Sequence, residues 1–167
     1  QRYLAYATDS QGTEFYRLYI KDLRTGKTTK TRYKNVSEAV WMADSRTLVF
    51  TTLNQRMQTD KAYRWNTKTN ELELLYEELD PGWDISVYLN CDETMLLLAS
   101  SSKDATEVHW LAADDYTDTF TCLLPRRDRH IYDADYYQGR FYLRSNLFQR
   151  DYDLLVCQKE NASVGNW

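Results

Sequence analysis

Short apolar runs separated by polar turns fill the chain, and no stretch of useful length keeps the 3.6-residue period of an amphipathic helix. Residues 47–53 (Thr-Leu-Val-Phe-Thr-Thr-Leu) and 94–100 (Thr-Met-Leu-Leu-Leu-Ala-Ser) are almost uninterrupted, and residues 2–8 read the same way. Such runs predict strands covered on both faces. Other segments alternate. In 14–20, Tyr16, Leu18 and Ile20 oppose Phe15, Arg17 and Tyr19, and in 72–77, Leu72, Leu74 and Tyr76 oppose Glu73, Leu75 and Glu77. Residues 27–33 are polar and threonine-rich, as expected of an exposed outer strand. Turn chemistry separates the runs at Ser10-Gln11-Gly12, at 22–26 and at Gln138-Gly139.

These strand types recur in a fixed order of short, buried, mixed and outer. One copy is 38–41, 47–53, 61–65 and 72–77, and the next is 85–89, 94–100, 107–111 and 120–124. A last copy begins at 130–135, turns at Gln138-Gly139 and continues through 140–145 and 152–158. The turns at Asp44, Asp92 and Gln138 lie 48 and 46 residues apart, the period of a four-stranded β-propeller blade. One such sheet cannot bury its own faces and must stack on neighbours. The expected fold is therefore all-β, a partial β-propeller of four-stranded antiparallel blades, in one domain over 1–167 with blade pieces at about 1–34, 36–80, 83–126 and 128–167. An immunoglobulin-like sandwich also has regular short strands but predicts no fixed order of burial. The WD40 subtype is disfavoured because Trp83-Asp84 precedes a first strand rather than ending a third. About 3.7 blades fall short of the roughly 4 to 8 that close a ring. Since the chain starts at Gln1 and not at methionine, the expectation is a piece of a larger protein whose exposed blade faces or edges favour self-association.

Composition narrows the function. With 14 Tyr, 5 Trp and 5 Phe, aromatics must carry much of the core. The 21 basic and 25 acidic residues give a net charge of −4 without long runs of either sign, which argues against nucleic acid as a partner. Neither a membrane helix nor a signal peptide is indicated, so the expected location is the cytoplasm. Cys91, Cys122 and Cys157 are scattered, with no C-x-x-C pair and no histidine placed by spacing to complete a metal site; they read as reduced thiols. Neither metal nor cofactor is expected.

Catalytic signatures are missing: the chain has no G-x-S-x-G elbow, no phosphate loop and no H-E-x-x-H. Only His109 and His130 could serve a triad; His109 reads as a structural residue of a mixed strand, and His130 is the better functional candidate. The acidic clusters at 71–80 and 114–118 read as solvated faces. The first strand of each blade lines a propeller's channel, which makes Glu38, Trp41, Trp83, Asp84, Ser86, Arg129, His130 and Asp133 the candidate channel residues. Arg126, Arg127, Arg140 and Arg144 are candidate ties between blades or to another domain.

Some wording is more specific than a blade requires: Thr106-Glu107-Val108-His109-Trp110-Leu111, then Leu123-Leu124-Pro125-Arg126-Arg127, then Asp135-Tyr136-Tyr137-Gln138-Gly139-Arg140-Phe141-Tyr142-Leu143-Arg144-Ser145-Asn146. It resembles the N-terminal propeller of the prolyl oligopeptidase family of serine peptidases, in its oligopeptidase B branch. Tyr136 stands where that branch's pattern has a histidine. The resemblance implies a seven-bladed propeller capping an α/β-hydrolase domain, in a cytosolic enzyme that cleaves short peptides after Arg or Lys. It also implies that the propeller gates substrates by size, that the triad belongs to the hydrolase domain, and that this domain and short basic peptides are the partners. No residue here matches the triad motifs, so this polypeptide alone is expected to be inactive. The rival expectation is a stand-alone propeller scaffold that binds a protein or small ligand.

Overall fold

The computed structural model describes residues 2–162 and 166–167. They form fourteen strands and one short 3-10 turn at Lys159–Asn161. The strands make four antiparallel meanders, in the orders β1-β2-β3, β4-β5-β6-β7, β11-β10-β9-β8 and β12-β13-β14. The chain is thus the partial β-propeller that the repeat predicts.

Two compact units divide the strands. The first holds β1 (Tyr3–Thr8), β2 (Arg17–Asp22), β3 (Thr28–Lys34), β4 (Val36–Trp41), β5 (Thr47–Leu53), β6 (Thr59–Asn66) and β7 (Leu72–Glu77), together with residues 85–87 of β8 (Asp84–Leu89). Its core is Leu18, Val36, Leu48, Phe50 and Trp65, with Tyr33 and Tyr63 packed against it. The Tyr33 ring centroid lies 4.9 Å from those of both Phe50 and Trp65, and Phe50 stacks on Tyr63 at 5.5 Å. Rings of that size fill the space between two sheets with few side chains.

The second unit holds β9 (Met95–Ser101), β10 (Thr106–Ala112), β11 (Thr121–Leu124), β12 (Tyr132–Tyr137), β13 (Arg140–Ser145) and β14 (Asp153–Gln158). Met95, Leu97, Val108, Leu123, Leu124, Tyr132, Ala134, Phe141 and Leu143 are buried together in its core. Polar side chains also tie β12 to its neighbours: the Tyr88 hydroxyl donates to the Ala134 carbonyl at 2.9 Å, and Asn90 Nδ2 donates to the Tyr136 carbonyl at 2.7 Å.

Local chemistry explains the strand limits. Asp22, Asp44, Asn66 and Asp92 each accept backbone N–H groups two or three residues ahead, forming Asx turns at two equivalent pairs of joints: Asp44 and Asp92 between first and second strands, Asp22 and Asn66 between third and fourth. Gln138 and Gly139 both have positive φ, 46° and 81°, as a two-residue hairpin between Tyr137 and Arg140 requires.

Three strand expectations change. β2 starts at Arg17, because the Asp9 carboxylate accepts the N–H groups of Gln11 and Glu14 and holds the segment before it in a loop, with Glu14 at φ 64°. β12 starts at Tyr132: Arg129 takes φ 56° and the His130 N–H bonds back to the Arg127 carbonyl, so 128–129 is a turn and the strand begins after it. β1 is not covered on both faces. It is the edge strand of its sheet, with Leu4 45% exposed. Burial in β7 falls on Leu75, while Leu72 and Leu74 face out.

Candidate functional site

The candidate channel residues are mostly occupied with holding the fold. Glu38 is half-buried on β4, and its Oε2 accepts the Val87 N–H at 2.7 Å. Burial pushes its carboxyl up, and the Val87 N–H partly opposes that. Trp41 packs near Tyr3, ring centroids 6.3 Å apart, and its Nε1 is buried without an acceptor among the described residues. Ser86 is half-buried and Asp84 exposed on β8. Asp133 is exposed and accepts Arg144 Nε at 2.9 Å across the β12–β13 pair. Arg129 is exposed, 3.8 Å from Asp128.

His130 has the outline of a catalytic base and the surroundings of a structural one. Its Nε2 lies 2.9 Å from Ser145 Oγ, the spacing of a nucleophile and its base. Yet Ser145 is 0% exposed and His130 only 5%, the serine hydroxyl also accepts the Leu147 N–H, and the imidazole stacks on Tyr132 at 4.9 Å. A peptide carbonyl cannot reach that hydroxyl. Burial, helped by Arg127, pushes the imidazole toward its neutral form, which suits a satisfied core histidine. The pairing arises because β12 and β13 run in register from Tyr132–Ser145, with His130 just before the pair begins.

The arginine candidates divide. Arg144 pairs with Asp133 and lies 5.1 Å over the Tyr152 ring, so both contacts stay within the last sheet and its connection. Arg127 and Arg140 are exposed; Arg140 lines a surface recess of about 440 Å³ with Val156, Cys157, Gln158, Asn161 and Asn166. Arg126 is the best-placed of the four. Its guanidinium lies 4.0 Å from the Trp83 ring centroid and 3.3 Å from Glu107 Oε1, and its backbone N–H donates to Glu107 Oε2 at 2.8 Å.

Glu107 is the hub of this cluster, and no spacing rule singled it out. His109, two residues along β10 and on the same face, places Nε2 3.0 Å from Glu107 Oε1. Together with the Arg126 groups, His109 holds the Glu107 carboxyl down at about 2; the His109 hydrogen bond is the largest cause, against the opposing effect of burial. Cys122 stands opposite His109 in the β10–β11 register, and although the residue is exposed, partial burial of its thiol and the Glu107 charge push the thiol up to about 11. No disulfide forms among the described residues: Cys91 and Cys122 are exposed, and Cys157 is buried with its thiol donating to the Asn161 carbonyl at 3.0 Å. The sequence separates Cys122 from Glu107 and His109, and only the pairing of β10 with β11 joins them.

A register break accompanies this cluster. Val108 pairs with Leu124 while His109 pairs with Cys122, so Leu123 is the extra residue of a bulge. The hydroxyl of Tyr132 enters there, accepting the Val108 N–H and donating to the Leu124 carbonyl, each at 2.7 Å.

Residues 1–167 match throughout the profile of the prolyl oligopeptidase N-terminal β-propeller domain. The chain belongs to this family. Among curated proteins, this propeller is 26% identical over 165 residues to Protease 2 of Moraxella lacunata, covering 96% of the chain and 24% of the relative. It is 30% identical over 174 residues to dipeptidyl aminopeptidase BI of Pseudoxanthomonas mexicana, covering 99% and 24%. Its fold superimposes on oligopeptidase B from Leishmania major with a TM-score of 0.87 at 22% identity, over 96% of this chain and 23% of that one. The chain thus spans about a quarter of the length of the peptidases it matches. No helix among the described residues of this propeller is long and apolar enough to cross a membrane.

Proposed function

We propose that this chain is the non-catalytic propeller portion of a cytoplasmic serine oligopeptidase that cleaves short peptides after Arg or Lys, and that it admits peptides while excluding folded proteins. The observation that carries the reading is the match of all 167 residues to the propeller domain of a peptidase family. The burial of Ser145 and His130 supports a non-catalytic role, because this serine–histidine pair is closed to substrate. Hydrolysis then belongs to a hydrolase domain of the parent chain, with the propeller acting by restricting entry. Arg126, Trp83 and the exposed Arg127 are the residues of this chain proposed to meet that domain. Glu38, Trp41, Asp84, Ser86, Arg129 and Asp133 stay proposed for the channel wall, and His130 supports that wall from the interior.

The parent protein is tested with fluorogenic amides carrying Arg, Lys or Pro before the scissile bond, and then with Arg-containing peptides of increasing length and a folded protein. The expected result is turnover after Arg and Lys that falls away with substrate size, and none from residues 1–167 alone. Preference for Pro would overturn the specificity; equal cleavage of the folded protein would overturn the gating role. A parent that hydrolyses none of these would favour a propeller scaffold that binds without cleaving.

A further inference from the structure

We propose that Glu107, His109 and Cys122 form a binding site for one divalent cation of the zinc class. A carboxylate oxygen, an imidazole nitrogen and the thiol sulfur all lie within 4.8 Å of one another. In a tetrahedral zinc site the ligand atoms stand about 3.5 Å apart, with the metal about 2.0 to 2.3 Å from each. Side-chain rotation closes the remaining gap, since none of the three atoms has to cross the sheet. The backbone already supplies the arrangement. Glu107 and His109 are two apart on β10 and share a face, and Cys122 is paired directly across from His109 on β11.

The donor set selects the metal. A thiolate with an imidazole favours zinc, cobalt or copper over magnesium or calcium, which prefer oxygen alone. Three protein ligands leave the fourth position to solvent. On binding, the thiol proton leaves to solvent, the Nε2 proton is exchanged away through solvent so that the neutral imidazole carries its one proton on Nδ1, and the cation takes the place of the hydrogen bond between Nε2 and Oε1.

Arg126 is the competitor. Its guanidinium already places positive charge 3.3 Å from Glu107 Oε1, and the Trp83 face beside it offers a second resting place at 4.0 Å. The metal must therefore push Arg126 away from the carboxylate, and removing that charge must tighten binding. A site made by accident of crowding would show no such dependence.

Cobalt(II) titration of the purified protein tests the proposal through the thiolate-to-cobalt absorption in the near ultraviolet and the visible bands of tetrahedral cobalt. The expected result is a saturable signal of one equivalent, abolished in Cys122→Ser and unchanged in Cys91→Ser. His109→Ala should weaken affinity more than about tenfold, and Arg126→Met should strengthen it. Cys122 is exposed, so the serine variant changes one atom at the surface, and circular dichroism checks that each variant is folded. Absence of the signal up to millimolar cobalt overturns the proposal, as does a signal that survives Cys122→Ser. Affinity unchanged or weakened in folded Arg126→Met overturns it equally.

Discussion

Tyr132→Phe isolates the hydroxyl that bridges the β10–β11 bulge. Tyr132 is 1% exposed, and its hydroxyl serves two backbone groups that the bulge keeps from each other, the Val108 N–H and the Leu124 carbonyl. Burial raises the phenol far above its ordinary value, so it stays protonated and keeps the proton it donates to Leu124. The substitution removes one oxygen and leaves the ring packed, so almost no cavity term enters. What remains is two buried polar groups without partners, each worth about 1 to 3 kcal/mol. Some recovery follows if β11 shifts to bring the two groups together, and the expected net loss is about 3 kcal/mol. For a unit of this size that lowers the melting temperature by more than about 10 °C. Urea unfolding of both proteins gives the free-energy difference, and amide exchange at Val108 gives the local readout, which should accelerate more than exchange in β13. A loss below about 0.5 kcal/mol with unchanged exchange at Val108 would refute the bridging role.

Three further outcomes follow from the same contacts. Glu107→Gln should lose about 2 kcal/mol at neutral pH: a carboxyl held at about 2 instead of 4.5 favours the folded state by about 3 kcal/mol, reduced because Arg126 is partly open to solvent. Since the folded value is the lower one, this stability is present above pH 4.5 and lost as the pH falls toward 2; stability–pH curves that run parallel for wild type and variant would exclude it. Asn90→Ala should cost about 2 to 3 kcal/mol by denaturant unfolding, because the buried amide accepts the Met95 N–H and donates to the Tyr136 carbonyl, both at 2.7 Å; a loss under about 1 kcal/mol would mean that those backbone groups find other partners. Leu97→Ala, at a position with no exposure in the centre of β9, should cost about 3 kcal/mol or more, and a smaller value in a thermal melt would show that the core collapses around the gap.

The sequence alone determined the repeat. Its fixed order of burial and its recurring Asx turns are local properties, written in side-chain alternation and in the short reach of Asp and Asn to their own backbone. The family was legible too, in the wording from Thr106 to Asn146. Strand ends were less so, because Asp9 and Arg129 act through a loop carboxylate and a left-handed backbone that hydrophobic patterning does not report. The roles of polar residues belonged to tertiary structure. His130 looks like a base until Ser145 is found buried beside it, and Glu107 looks like an ordinary strand residue until His109, Arg126 and Cys122 surround it. Burial decides whether a dyad can react, and strand register decides which distant donors meet. Both are set by long-range pairing, here by one residue of slip between β10 and β11, which no local pattern encodes.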